Sequence, residues 1–181
     1  MSDRGQWMQT WGGRKFHPCD PLPSEVFLED IANALARICR FGGHVTVPHY
    51  SVAQHSVLVA RHVPERWQRT ALLHDAAEAY VGDMIRPLKL TPGLGDAFKA
   101  IENQVAWAIG ERFSVDLIDM SPLVKRADNI ILATERRDIM RPGLAWGGLT
   151  EAPSHEKIVF GWDPETAASS FLVAARGAGI E

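Results

Sequence analysis

The stretch from Leu72 to Asp83 constrains this chain most, because it sets ionisable side chains into an apolar, alanine-rich segment. His74, Asp75 and Glu78 fall within five residues, and a glycine followed by Asp83 ends the stretch. An unpaired charge inside a core is costly, so buried ionisable groups are usually paired, metal-bound or neutralised. His74 and Glu78 are four residues apart and share one face of a helix. The sequence therefore predicts a metal site at this helix.

The composition is that of a globular protein and argues against several classes of function. The chain has 181 residues, 46% hydrophobic and 23% charged, so a single domain over 1–181 is expected. A net charge of −3 without basic runs argues against nucleic acid as a partner. The two cysteines form no disulfide framework, and no stretch reads as a signal peptide or a membrane span. We therefore expect a cytoplasmic protein without a membrane partner.

Hydrophobic periodicity and turn residues predict an all-α domain with a small N-terminal β-hairpin that turns at two glycines, 12 and 13. Predicted helices begin at Asp30, Ser51, Pro64, Pro92, Ser121 and Asp163, and loops are predicted at 86–89 and 141–162. The first helix is expected to end near Arg40, the third near Gly82 and the fifth near Ile139. The helix from Pro92 is amphipathic and could form the interface of a homodimer or a higher homo-oligomer.

Two further ionisable residues occupy core-like positions on other predicted helices. His55 lies in the first turns of the helix that Ser51 caps, and Asp128 lies in the aliphatic run of the helix that begins at Ser121. Helical proteins build metal centres from histidines and carboxylates that project inward from facing helices. Two nitrogens and two carboxylate oxygens suit one divalent metal ion, and Co²⁺, Mn²⁺, Zn²⁺, Fe²⁺ and Mg²⁺ all remain open as its identity.

Five short motifs within residues 30–140 together resemble the HD-domain phosphohydrolases, and among these the small bacterial 5′-deoxynucleotidases. The motifs are Ser51-Val52-Ala53-Gln54-His55-Ser56, His74-Asp75-Ala76-Ala77-Glu78, Gly82-Asp83, Pro87-Leu88-Lys89 and Lys125-Arg126-Ala127-Asp128-Asn129. The resemblance implies a helical bundle with its metal-binding core at about 30–140. It also implies that His55, His74, Asp75 and Asp128 hold the metal ion.

The resemblance further implies roles for residues around the metal. Glu78 and Asp83 occupy positions that serve the hydrolytic water and the leaving group in those nucleotidases. Arg40 matches a phosphate-contacting arginine, although an arginine at a helix end also complements the helix dipole. Lys89 is a second candidate phosphate contact. The implied reaction removes the 5′-phosphate of (deoxy)nucleoside monophosphates with a metal-activated water.

Two alternatives remain open at this point. Only 19 residues separate His55 from His74, a shorter interval than is usual in the deoxynucleotidases. A deoxynucleoside triphosphate triphosphohydrolase, which releases tripolyphosphate, therefore remains a second reading. A metal-binding HD module that acts on another phosphoester is a third. Outside the motifs, Glu135 is expected to pair with Arg136 or Arg137 at the surface, and Trp146 could stack on a base.

Overall fold

Helices form most of this chain, and a two-stranded hairpin precedes them. The structure, a computed structural model, describes residues 4–181. Its strands are β1 Met8–Gln9 and β2 Lys15–Phe16. Its α-helices are α1 Leu28–Arg37, α2 Val52–Arg61, α3 Gln68–Leu73, α4 Glu78–Val81, α5 Arg86–Lys89, α6 Leu94–Phe113, α7 Pro122–Asp138 and α8 Pro164–Gly177. The predicted all-α fold with an N-terminal hairpin is confirmed.

The N-terminal hairpin has a longer turn than the sequence predicts. β1 and β2 pair antiparallel, with Met8 opposite Phe16. The Gly13 N–H donates to the Thr10 carbonyl at 3.0 Å, and Gly13 takes a positive φ of 77°. The turn therefore spans three residues instead of the two glycines alone. The hairpin packs on the helices through Phe16, whose ring stacks on Tyr80 of α4 with the centroids 3.8 Å apart.

Asp30 lies inside α1 and does not cap it. The helix begins two residues earlier, at Leu28, without a side-chain cap, and it ends at Arg37. The buried Asp30 carboxylate accepts the Gly12 N–H at 2.6 Å and lies 3.4 Å from the Arg14 guanidinium. The prediction that Asp30 begins the helix was wrong, because this carboxylate instead ties the hairpin turn to α1.

A short antiparallel bridge places Arg40 beside the start of α2. Cys39 pairs with Ser51, and the Arg40 N–H donates to the Tyr50 carbonyl at 2.9 Å. The Ser51 hydroxyl accepts the Gln54 N–H at 3.1 Å, which confirms the predicted cap of α2. The bridge therefore fixes Arg40 relative to the first turns of α2.

The helix predicted from Pro64 to Gly82 is interrupted at the His-Asp pair. α3 ends at Leu73 and α4 begins at Glu78. Between them the backbone winds more tightly, and the Ala76 N–H donates to the Leu73 carbonyl at 2.9 Å, three residues back. Such 3₁₀ winding inside a helical stretch often marks a functional or strained position.

The region after α4 also differs from its prediction. Residues 86–89 were expected to be a loop but form the single-turn helix α5, since a proline fits the first turn of a helix. In α6 the apolar stripe is buried only in its second half, where Val105 and Ile109 are inaccessible, while Leu94 is 47% exposed. The homo-oligomer interface expected on this helix stays a prediction.

α7 and α8 complete the core. Ser121 accepts the Leu123 N–H and Asp163 accepts the Thr166 N–H, so both predicted caps are confirmed. The buried apolar cluster draws on α1, α2, α3, α6, α7 and α8, and includes Ile31, Leu35, Val57, Leu72, Ile109, Ile131 and Phe171. Within residues 4–181, none of the helices combines the length with the apolar composition that a bilayer span requires.

The segment 141–162, between α7 and α8, has no helix or strand but is tied to the bundle. The Gln54 side chain of α2 donates to the Phe160 carbonyl at 3.1 Å and accepts the Trp162 N–H at 2.8 Å. The Ser154 N–H donates to the Thr134 hydroxyl of α7 at 2.8 Å. These contacts hold the segment as an ordered surface layer across α2 and α7.

Candidate metal centre

Two histidines face each other inside the bundle. His55 projects from α2, and His74 directly follows α3. Their Nε2 atoms lie 3.3 Å apart, and at most 4% of either side chain is exposed. The other nitrogen fixes each ring, because His55 Nδ1 lies 2.7 Å from Glu135 Oε1 and His74 Nδ1 lies 2.8 Å from the Ala71 carbonyl.

Two carboxylates approach the same point. Asp75 Oδ2 lies 3.2 Å from His74 Nε2 and 3.7 Å from His55 Nε2. Asp128 Oδ1, from α7, lies 3.1 Å from His55 Nε2 and 3.9 Å from His74 Nε2. The ligand atoms of His55, His74 and Asp75 all lie within 4.8 Å of one another, so these three form a group that could hold a metal ion. The structure thus brings together three of the four residues predicted as ligands, and Asp128, the fourth, approaches the two histidine nitrogens from α7.

These four atoms require positive charge between them. A carboxylate or a carbonyl can only accept, so each histidine donates through Nδ1 and turns Nε2 toward the two aspartates. Nitrogen lone pairs and carboxylate oxygens this close repel one another unless protons or a cation lie among them. Ligand atoms bound about 2.1 Å from a tetrahedral ion lie about 3.4 Å apart. The separations of each aspartate oxygen from the two histidine nitrogens, 3.1 to 3.9 Å, are close to this spacing.

The electrostatics of the group point the same way. Burial lowers the pKa of His74, but Asp75 outweighs it and raises that pKa to about 9. Burial also lowers the pKa of His55, while Glu135 raises it, and the net pKa lies above its ordinary value. Burial raises the pKa of Asp75, but the neighbouring His74 lowers it by a larger amount. The net pKa lies below its usual range, so this carboxyl stays ionised. The negative charge that attracts these protons attracts a metal ion as well.

Glu78 is a buried carboxylate at the start of α4. One oxygen lies 3.4 Å from Lys89 Nζ, and the other has no hydrogen-bond partner among residues 4–181. Burial raises the pKa of Glu78 well above its usual range, and the charges of Asp75 and Asp83 add to this effect. Asp83 itself is half-buried in the loop after α4. The Lys89 ammonium also lies 2.9 Å from Glu102 Oε1.

Arg40 lies against the ligand group, with 12% of its side chain exposed. One guanidinium nitrogen donates to Asp75 Oδ2 at 3.4 Å, and another donates to Glu135 Oε2 at 3.2 Å. Burial lowers the pKa of Arg40, but the negative charges of Glu135 and Asp75 raise it by a larger amount. The guanidinium is therefore charged. Arg40 thus stands at the edge of the ligand group, shared between two carboxylates.

Glu135 is the site residue that the sequence interpretation missed. It was expected at the surface, paired with Arg136 or Arg137, but it is fully buried and contacts His55. That prediction was wrong. The available signal was position, because Glu135 lies seven residues after Asp128 and so on the same inward face of α7.

A cavity of about 1160 Å³ lies between the turn 43–46, α7 and the segment 141–153. Its polar and aromatic lining includes His44, Arg136, Arg141 and Trp146. The four ligand residues are not part of this lining, so the cavity and the ligand group are separate features. Phe41 directly follows Arg40, and its ring centroid is 5.7 Å from that of Trp146. Trp146 therefore forms part of a cavity wall.

Comparison with known proteins identifies relatives that match most of the chain. The sequence is 40% identical to the uncharacterized protein YfdR of Escherichia coli over 152 residues, which cover 83% of this chain and 82% of YfdR. It is 37% identical to the uncharacterized protein RCAP_rcc00048 of Rhodobacter capsulatus over 144 residues, 74% of this chain and 72% of that protein. No protein-family model matches the sequence. At this identity and coverage, the chain belongs to the protein family of YfdR and RCAP_rcc00048.

Proposed function

We propose that this protein is a metal-dependent phosphohydrolase of the HD-domain type that removes the 5′-phosphate of (deoxy)nucleoside monophosphates. One observation carries the proposal. Two aspartate oxygens each lie 3.1 to 3.9 Å from two histidine nitrogens, and the buried carboxyl group of Glu78 follows three residues after Asp75. The likeness of the surrounding motifs to the 5′-deoxynucleotidases supports the choice of substrate.

His55, His74, Asp75 and Asp128 would hold the cation. When bound, a divalent ion supplies Lewis acidity to a phosphoryl oxygen and makes water more acidic. Burial keeps both histidine rings in place, and their Nδ1 contacts keep Nε2 directed inward.

Glu78 would carry the proton in this reaction. A carboxyl group whose pKa is raised holds a proton closer to neutral pH, where it exchanges protons with water and substrate efficiently. Glu78 would accept a proton from the attacking water and return one to the leaving 5′ oxygen as the phosphorus–oxygen bond breaks. Asp83 raises the pKa of Glu78 and would support this exchange.

Arg40 and Lys89 would neutralise the phosphate. Phosphoryl transfer depends mainly on positioning and on positive charge around the non-bridging oxygens. Arg40 touches the ligand Asp75, and Lys89 touches Glu78, so each cation adjoins one part of the proposed machinery.

Product analysis by anion-exchange chromatography tests the proposal. Metal-stripped protein, reloaded with Co²⁺ or Mn²⁺, is incubated with the four deoxynucleoside monophosphates and the four triphosphates. The proposal predicts inorganic phosphate from monophosphates. Tripolyphosphate from a triphosphate would replace the substrate assignment with the triphosphohydrolase. No product from any nucleotide, with metal bound, would overturn the proposed function.

The variant Glu78→Gln tests the assigned proton carrier. Turnover should fall by at least about 100-fold while the metal content stays at the wild-type level. Glu102→Gln is the matched control, since it removes the other carboxylate that contacts Lys89 and should keep most of the activity. Wild-type turnover in Glu78→Gln would contradict the role of Glu78.

A further inference from the structure

Glu135 holds one nitrogen of His55 while the ligand group meets the other. Both side chains are fully buried, and His55 Nδ1 lies 2.7 Å from Glu135 Oε1. On the opposite edge of the same ring, His55 Nε2 lies 3.1 Å from Asp128 Oδ1. Both carboxylates belong to α7, so the imidazole ring of His55 lies between two carboxylate groups of one helix.

The charge state of Glu135 decides which nitrogen of His55 carries the hydrogen. Arg40 contacts the Glu135 carboxylate at 3.2 Å, and a buried carboxylate with such a cation stays ionised. An ionised carboxylate can only accept hydrogen bonds, so the close contact requires a hydrogen on Nδ1. The Nε2 lone pair of His55 is then left for a metal ion.

We propose that Glu135 is the positioning residue of the metal centre, and that it fixes the ring orientation and tautomer of His55 for coordination through Nε2. The inference rests on the metal centre of the proposed function and not on its substrate. His74 receives the corresponding support from the neutral Ala71 carbonyl. Glu135 differs from that support because it carries a negative charge, which raises the basicity of the His55 ring.

Metal affinity of the Glu135→Gln variant tests the inference. The amide keeps the shape of the side chain but removes the charge, so the hydrogen on Nδ1 is no longer enforced. Titration with Co²⁺, followed by calorimetry and by the visible absorption of the bound ion, should show about 10- to 100-fold weaker binding. The cobalt spectrum should change, and Glu135→Asp should restore part of the affinity.

Asp138→Asn is the matched control on the same helix. Asp138 pairs with Arg137 at 2.6 Å and accepts the Ile158 N–H at 2.8 Å, so its loss affects packing but not the ligands. It should leave the cobalt affinity unchanged. Wild-type cobalt affinity and spectrum in Glu135→Gln would show that Glu135 is merely structural, and would overturn the inference.

Nitrogen NMR of the wild-type protein gives a test that does not depend on any variant folding. With Zn²⁺ bound, His55 should show a protonated Nδ1 and a metal-bound Nε2. A hydrogen on Nε2, coordination through Nδ1, or no metal binding at all would overturn the inference. A chain that binds metal in this way but hydrolyses no nucleotide would refute the proposed function and leave the role of Glu135 standing.

Discussion

Glu78 and Glu102 both contact the Lys89 ammonium group, yet they lie in different surroundings. The Glu78 side chain is 5% exposed, whereas that of Glu102 is 23% exposed. One Glu78 oxygen lacks a hydrogen-bond partner in the described part of the chain, residues 4–181. Burial and the nearby Asp75 and Asp83 therefore raise the pKa of Glu78 well above 4.5. The folded chain holds a proton on Glu78 at pH values where the unfolded chain has lost it.

This difference makes the stability of the metal-free protein depend on pH. The stabilising effect of the Glu78 proton is complete below about pH 4.5 and is lost as the pH rises toward the folded-state pKa. The glutamine of Glu78→Gln cannot ionise, so this variant does not lose that stabilisation. Its free energy of unfolding, relative to that of the wild type, should therefore be higher at pH 8.5 than at pH 5. Urea unfolding at both pH values measures the gain, with Glu102→Gln as the control. A constant difference between Glu78→Gln and wild type would contradict the raised pKa.

Single residues also show where sequence reasoning succeeded and where it stopped. His55, His74, Asp75 and Asp128 could be picked out because ionisable groups at apolar helix positions need a partner. Glu135 lies two turns after Asp128 on the same helix face. The two arginines that follow it, however, indicated an ion pair at the surface. Only the packing of α2 against α7 shows that its partner is His55.

At the scale of elements, the segment 141–162 depends on one close backbone approach. A Cβ atom added at Gly161 would lie 1.4 Å from the His49 carbonyl oxygen. The neighbours of Gly161, Phe160 and Trp162, are the residues that Gln54 of α2 holds by their backbone. The segment can therefore lie on α2 only because a glycine is present at this position.

The variant Gly161→Ala tests this packing. The added methyl group must displace backbone, which should lower the free energy of unfolding by about 1–3 kcal/mol or more. Gly147→Ala, in the same segment, is the control, because an added Cβ there meets nothing within 4 Å. Urea unfolding measures both. Equal stability of the two variants would show that the segment yields at Gly161 without cost.

Local signals predicted the starts of several elements well. Ser51, Ser121 and Asp163 cap α2, α7 and α8 as expected, because a cap depends on neighbouring residues alone. Tertiary contacts decided the failures. Asp30 has the chemistry of a cap, but its carboxylate is taken by the hairpin turn. The break in the helix at His74 likewise accompanies a side-chain contact to the Ala71 carbonyl, which local periodicity does not reveal.

At the scale of the whole molecule, the proposed metal centre is assembled only when the bundle is folded. Its ligands come from α2, from the tight winding after α3 and from α7, and the hairpin supports α4 through Phe16 and Tyr80. A metal ion that binds the folded chain more tightly than the unfolded chain must also stabilise the fold. The proposed metal binding would therefore be linked to folding in this protein.

Anomalous diffraction from crystals grown with Co²⁺ would show directly whether these four residues bind a metal ion. We expect one strong cobalt peak about 2.0–2.2 Å from His55 Nε2, His74 Nε2, Asp75 Oδ2 and Asp128 Oδ1. The peak should be absent from crystals of His74→Ala prepared in the same way. A cobalt peak elsewhere, or none at these four residues under saturating cobalt, would contradict the proposed metal centre.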